Sequence, residues 1–326
     1  MRILFVTSSR IGDAVLSTGL LNHLAETHAG ARFTVACGAA PAPLFAAAPF
    51  VERVIPMVKR RRSGHWRDLW RDTVTTWWHM VVDLRGSALA YAVPTFHRRV
   101  LKSSWVPKHR LIHLSSALGL ETPFAPILWN SPADRAAALA LIPPGPPVLA
   151  VGPTANWGGK RWPAERFAEV VQRLTAVDGP LAGARVAVFG AEFERAMAQP
   201  VLESIPPERR IDAIGGIGLA SVHAALGRCA CYLGNDSGLM HIAAAAGVST
   251  LGLFGPSSEV FYGPWGGACA TVRGPRSFED ICHAPDFNHR SQDSLMLDLG
   301  VDRVVAAASA LISSSAAAGS SQTMRA

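Results

Sequence analysis

Three places along the chain set residues that handle protons or anions just beyond short apolar runs. After R-I-L-F-V-T comes S-S-R-I-G-D-A-V, in which Gly12 permits a tight turn and Asp13 stands at or beside the start of a helix over 14–25. A carboxylate there caps the helix or, where a strand end opens to a ligand, serves as a general base. In mid-chain, G-P-T-A-N-W-G-G-K-R-W-P presents Lys160 from a flexible Gly158-Gly159 loop beside a helix N-terminus. That suits a diphosphate, against the plainer reading of a solvated loop lysine. In G-N-D-S-G-L-M-H, Asp236 or Ser237 can cap a helix of small residues that ends at Gly247. Ser237 and His241 are four apart and share one helix face near free N–H groups, where a phosphate or sugar would dock; a structural histidine is the competing reading.

Other motifs narrow the chemistry. F-G-A-E leaves Glu192 at another strand end, able to accept from a ribose or base, and F-G-P-S-S repeats the strand-to-turn theme at 254–258. The lysine motif is not a P-loop, because Arg161 stands where a hydroxyl is needed, so a nucleoside-triphosphate hydrolase is disfavoured. No G-x-G-x-x-G with an acidic partner occurs, which disfavours a nicotinamide dehydrogenase. Cys229-Ala-Cys231 is too tight for a zinc pair of the usual spacing.

The elements that must position these residues read as two α/β series. Strands are expected at 2–7, 32–37, 51–55 and 80–85, then at 148–153, 185–190, 231–235 and 250–256, with helices between them. One helix, over 163–174, opens on Pro163 and lines Phe167, Val170, Val171 and Leu174 along one face. The run L-I-P-P-G-P-P at 141–147 cannot continue a helix or a central strand, so the boundary is expected there: an N-terminal lobe over 1–145 and a C-terminal lobe over 146–300. A last helix over 301–312 and a small, polar, disordered tail over 313–326 follow. Two doubly wound sheets imply ligands at strand carboxyl ends, facing a cleft.

Among 326 residues, 49% are hydrophobic and 17% charged, which excludes a disordered chain and a disulfide scaffold. Five scattered cysteines fit a reducing compartment. The first ten residues are apolar for too short a stretch to form a signal-peptide core, and no apolar run reaches the ~20 residues of a membrane span, so a cytoplasmic location is expected. Residues 1–145 carry 17 Lys+Arg against 8 Asp+Glu, while residues 146–326 carry 14 against 16. The first lobe should therefore meet something anionic. Its cluster K-R-R-R-S-G-H-W-R-D-L-W-R, with Arg60, Arg61, Arg62 and Trp66, suits a lipid headgroup surface or an anionic acceptor. A solvated helix with core tryptophans and a base-stacking surface are its rivals; no nucleic-acid reading motif accompanies it, so nucleic acid is not the expected partner.

R-I-G-D after the first strand, G-P-T-A-N-W-G-G-K-R-W-P in mid-chain, and G-N-D-S-G-L-M-H-I-A-A-A-A-G with F-G-P-S, in that order, resemble glycosyltransferase family 9, the ADP-heptose:lipopolysaccharide heptosyltransferases. The resemblance spans about residues 1–312. It implies a GT-B architecture with an acceptor-binding first lobe, a donor-binding second lobe and a last helix crossing back toward the first. It implies an inverting, metal-independent transfer without cofactor, from ADP-heptose or another nucleotide sugar to a lipopolysaccharide core or related glycan at the cytoplasmic face of the inner membrane. By that similarity Asp13 is the general base and Lys160 stabilises the departing diphosphate. Thr154 and Asn156 add hydrogen bonds, Glu192 faces the adenosine, and Asp236, Ser237, Gly238 and His241 hold phosphates and sugar hydroxyls. The chain departs from the family pattern before the last helix, where only Cys282 stands in C-H-A-P-D-F-N-H. A catalytically silent nucleotide-sugar-binding or assembly protein of the same fold is the alternative, which the presence of Asp13 and Lys160 argues against.

Overall fold

A computed structural model describes residues 1–104 and 106–323, with side chains described up to Ser315. It divides into two compact units, Met1–Ser131 and Pro132–Ala326. The division thus lies ahead of the proline run, not at 145/146. The reason is local: helix Pro132–Leu141 packs against helix Leu219–Leu226, with Ser221 Oγ donating to Asp134 at 2.7 Å, so it belongs to the second unit's core.

The first unit holds five parallel strands, β1 (Arg2–Val6), β2 (Arg32–Gly38), β3 (Val51–Met57), β4 (Trp78–Asp83) and β5 (Thr95–Val100), in the order β3-β2-β1-β4-β5. The second holds six, also parallel: β6 (Val148–Gly152), β7 (Arg185–Gly190), β8 (Arg210–Ile214), β9 (Cys231–Asn235), β10 (Ser249–Phe254) and β11 (Cys269–Arg273), in the order β11-β10-β9-β6-β7-β8. Each order reverses direction once, between β1 and β4 in the first sheet and between β6 and β9 in the second. Helices leaving adjacent strands on opposite sides open a crevice at such a reversal, at the strands' carboxyl ends.

Central strands are buried on both faces, which is why they read as apolar runs: β6 and β10 are buried at every position. Helix Ala164–Thr175 buries Phe167, Val170, Val171 and Leu174 as its spacing predicts. They join a core with Val186, Val188, Leu233 and Leu253, completed by Val304, Ala308 and Leu311 of the last helix. That helix is longer than expected, Val301–Thr323, and the polar stretch after residue 312 continues it. Its hydroxyls are satisfied close by: Ser314 Oγ donates to Leu311 O at 2.8 Å and Ser249 Oγ donates to Ser315 Oγ at 2.7 Å. The remainder of the expected tail, 316–326, lies outside the residues whose side chains are described.

The thiols are structural. Burial pushes Cys37, Cys229 and Cys231 each up to about 12 and Cys269 up to about 11. A raised folded-state pKa stabilises the fold fully below the unfolded thiol's ~8.5 and withdraws that stability as pH rises toward the folded values. The urea midpoint is therefore expected to start falling as pH passes ~9, from this cause, in wild type but less in a Cys37→Ala chain. Cys37 should resist iodoacetamide at pH 8 until the protein is unfolded; ready labelling of the native protein would contradict the burial argument.

Candidate active site

In the second unit the residues singled out around Lys160 and Asp236 come together at the carboxyl ends of β6 and β9, the strands that flank the reversal. The segment after β6 turns through a short 3-10 helix, Gly158–Lys160. Lys160 Nζ reaches Asp236 Oδ2 at 2.5 Å, with side chains 24% and 6% exposed, a pair formed just after β9. The glycines before Lys160 are not a flexible loop. Both are buried; a Cβ on Gly158 would run into the Gln292 carbonyl, and one on Gly159 would sit 2.8 Å from the Trp157 ring. Leu295 N donates to Gly159 O at 3.1 Å and Trp157 Nε1 to Ser291 O at 3.1 Å, so the turn is clamped between its own indole and the 291–295 segment. Gly158→Ala is expected to cost ~1–3 kcal/mol by overpacking, read as a lower urea midpoint; an unchanged midpoint would show the contact to be loose.

Asn235 fixes the approach of the two strand ends. It is fully buried; its Nδ2 donates to Pro153 O at 2.8 Å and its Oδ1 accepts from Trp162 N at 3.2 Å. Trp162, 2% exposed, adds an edge-on contact with Phe167 at 5.1 Å and donates from Nε1 to Leu299 O at 2.9 Å. The Tyr232 hydroxyl projects between Gly152 and Gly234, where a Cβ on either would overlap it. Burial raises the Tyr232 phenol and the Ser237 hydroxyl opposes that rise, so it stays protonated. Those two glycines therefore make room for a buried ring, a requirement visible only across strands.

Ser237 stands at the N-cap position of helix Gly238–Ala245, but its hydroxyl does not cap the helix, and Asp236 is engaged by Lys160. The expectation that one of them caps the helix is corrected. The helix ends at Ala245, with Ala246 as C-cap and Gly247 beyond it at φ +76°, the left-handed position that suits glycine. His241, one turn along from Ser237, is buried at 4% exposure. Thr154 is buried and donates to Glu194 Oε2 at 3.0 Å, the same oxygen that accepts from Ala191 N at 3.0 Å. Asn156 is exposed. Glu192 is exposed too and bound on both oxygens by Arg195, at 2.9 and 3.1 Å; those hydrogen bonds, against a small burial effect, hold its carboxyl below the ordinary range. Beyond β10, Arg273 grips Glu259 through two hydrogen bonds and donates to Gly255 O and Ser257 O, tying the F-G-P-S-S turn to β11. Partial burial alone would raise Glu259, but Arg273 outweighs it and keeps the carboxylate charged.

In the first unit Asp13 follows β1, beside the other reversal. It is not the N-cap; Arg10 holds that position and Asp13 lies in the first turn of helix Ile11–Thr27. Its carboxylate is 16% exposed and faces Arg110 Nε at 3.4 Å, while Arg110 Nη1 contacts His113 Nδ1 at 2.9 Å. Arg110 was not singled out from the sequence, for its segment, K-H-R-L-I-H, carries no motif. Asp83, at the end of β4, is fully buried and accepts from Arg85 N at 2.8 Å and Ser87 N at 2.9 Å, which closes the loop beside the reversal. The basic cluster divides. Arg60 pairs with Asp68 at 2.8 Å, and Arg62 and Ser63 take left-handed backbone at φ 51° and 56°. Trp66 packs on the core of Leu69, Val81 and Leu89 with the Arg85 guanidinium 5.5 Å over its ring, so its ring serves packing more than solvent.

The sequence profile of glycosyltransferase family 9 (heptosyltransferase) matches residues 85–287, across both units. The chain belongs to glycosyltransferase family 9. It is a glycosyltransferase, and its two parallel-sheet units are those of the GT-B fold. The chain is 27% identical to lipopolysaccharide heptosyltransferase 1 of Pseudomonas aeruginosa, over 82% of each chain. A family 9 glycosyl transferase from Veillonella parvula shares the fold at a TM-score of 0.77 and 21% identity, covering 95% of this chain and 97% of that one. The E. coli ADP-heptose LPS heptosyltransferase II does so at 0.74 and 22%, covering 97% and 99%. Among the described residues no group of three or more His, Cys, Asp or Glu could hold a metal ion, and no helix is long and apolar enough to cross a membrane.

Proposed function

We propose that this family 9 enzyme transfers heptose from ADP-heptose to a lipopolysaccharide core or related glycan, with inversion and without a metal. The observation that carries the reading is the Lys160–Asp236 pair at the β6/β9 reversal, against the uncapped N-terminus of helix Gly238–Ala245. Positive backbone charge, a lysine and buried polar side chains converge there, which is the chemistry of a diphosphate site. The name of the E. coli neighbour, an ADP-heptose LPS heptosyltransferase, supports the donor.

In this reading Asp13 takes the proton from an acceptor hydroxyl as that oxygen bonds to the anomeric carbon, and the carbon–oxygen bond to the diphosphate breaks on the opposite face. ADP departs with the bonding electrons. Lys160 and the N–H groups at Gly238 meet the charge that grows on the leaving diphosphate. Ser237, His241 and Asn156 hold phosphates and sugar hydroxyls, Thr154, tied to Glu194, fixes the turn after β6, and Glu192 faces the adenosine. The acceptor is an anionic glycolipid, reached from the cytoplasm by peripheral contact with the inner membrane.

A thermal-shift screen of nucleotide sugars tests the donor. ADP-heptose is expected to raise the midpoint, by the linkage of binding to folding, more than UDP- or GDP-sugars. A midpoint moved by none of them would remove the donor assignment, and turnover abolished by EDTA would remove metal independence.

A further inference from the structure

Along the β4–β5 edge of the first unit, rings that ordinarily seek a core stand in solvent. Trp77 is 65%, Phe96 67%, Tyr91 69% and Trp70 39% exposed. They form one neighbourhood. The Trp77 and Phe96 rings lie 5.7 Å apart, and His79 is 6.3 Å from Phe96 and 5.2 Å from His97. Arg98 stands 5.9 Å over the Tyr91 ring, and Trp70 Nε1 donates to Ala92 O at 2.9 Å, bringing helix Gly64–Thr73 to the segment that carries Tyr91. Scattered exposed apolar residues need no explanation, but a cluster of large rings does.

Along the segment that carries Tyr91, Phe96 and β5 the charge has one sign, and Asp68 and Asp72 beside Trp70 are paired with Arg60 and Arg53. Between Asp83 and Glu121 the chain carries no acidic residue, while it carries Arg85, Arg98, Arg99, Lys102, Lys108 and Arg110. Arg98 and Arg99 lie on β5 itself, exposed, at the outer edge of the sheet. The partner must be anionic and must accept amphipathic rings. A second copy of the chain fits poorly, since edge-to-edge pairing of β5 would set Arg98 and Arg99 of both copies against each other. An anionic bilayer meets both demands: Trp and Tyr rings settle at headgroup depth, and arginines engage the lipid phosphates.

We propose that the β4–β5 edge, through Trp77, Tyr91, Phe96, Arg98 and Arg99, is the surface on which this chain docks to anionic lipid. The inference rests on the membrane-contact part of the proposed function and is independent of its donor chemistry. It also moves the contact away from Trp66, whose ring packs inward.

The test is co-sedimentation of the full chain with vesicles of phosphatidylcholine containing phosphatidylglycerol, with no nucleotide sugar present. Arg98→Ser/Arg99→Ser is expected to weaken binding ~30-fold, at ~1 kcal/mol for each arginine near the surface. Trp77→Ser/Phe96→Ser is expected to weaken it by ~10-fold, with thermal midpoints close to wild type because the rings are exposed. The second pair should weaken binding even at high salt, the first chiefly at low salt. Variants that sediment like wild type would overturn the proposal, as would a wild type that fails to sediment. It would also fall if sedimentation velocity without vesicles showed a dimer that the variants dissociate. Vesicle binding through these residues in a chain inert toward ADP-heptose would leave this inference standing while the donor assignment failed.

Discussion

Replacing Asp13 by asparagine is expected to lower kcat by ~10²–10⁴-fold, the range lost when a positioned general base is removed, with donor affinity within a few-fold of wild type. The substitution keeps the side chain's shape while removing its capacity to take a proton. Asp13 lies in the first turn of helix Ile11–Thr27, where a negative charge contributes only ~0.3–1 kcal/mol through the helix dipole, so the fold should survive. Its partner, Arg110 at 3.4 Å, is mostly buried and would keep a neutral acceptor in the amide oxygen. The measurement is a transfer assay with donor binding followed separately by thermal shift. Wild-type turnover in Asp13→Asn would end the base assignment. Turnover lost together with donor binding would point to a structural role instead. An Arg110→Ala chain gives a companion reading: if the arginine positions Asp13, kcat falls with little change in donor affinity.

Lys160→Ala carries the second large effect. Loss of a group that stabilises charge developing in the transition state costs ~10²–10³-fold in kcat, and here ADP binding should weaken as well. In this structure Lys160 holds Asp236, whose side chain is 6% exposed. Removing the lysine strands a nearly buried carboxylate beside the proposed diphosphate site, where it would repel the donor. Two results therefore travel together: slower turnover, and a larger loss of affinity for ADP than the lysine's own contact explains. Asp236→Asn in the Lys160→Ala background should recover part of that affinity by removing the repulsion, and should not recover kcat. If the double variant binds ADP no better than Lys160→Ala, the carboxylate does not act as described. If Lys160→Ala turns over normally, the leaving-group role fails.

The arginine pairs elsewhere, such as Arg195 with Glu192 and Asp212, are more exposed and should contribute less to stability than this one. Their value is positional: Arg195 also donates to Ile214 O, which ties the turn after β7 to the end of β8.

The fold class was legible because parallel sheets bury their central strands on both faces, leaving apolar runs such as V-L-A-V-G and T-L-G-L-F that stand out from any flanking helix. Three strands escaped: β5, β8 and β11, all at sheet edges. An edge strand has one partner and solvent beside it, so T-F-H-R-R-V and R-I-D-A-I need no continuous apolar character. The boundary after Ser131 escaped for a related reason. Prolines at 143–147 mark a break in local conformation, whereas unit membership is set by which core helix Pro132–Leu141 packs on.

The site divides along the same line. Sequence by itself placed Asp13, Lys160 and Asp236 just after strands and before helices, because the turn chemistry of glycine, lysine and carboxylate at a strand end is written in consecutive residues. Only the tertiary structure decided that Lys160 closes on Asp236 rather than on solvent, and that Arg110 faces Asp13. It also decided that Gly158 is glycine for want of space beside Gln292, and that Glu194 holds Thr154. Each of those depends on a partner tens of residues distant, brought near by the order in which strands pair, and strand order is fixed by packing that no local stretch of sequence contains.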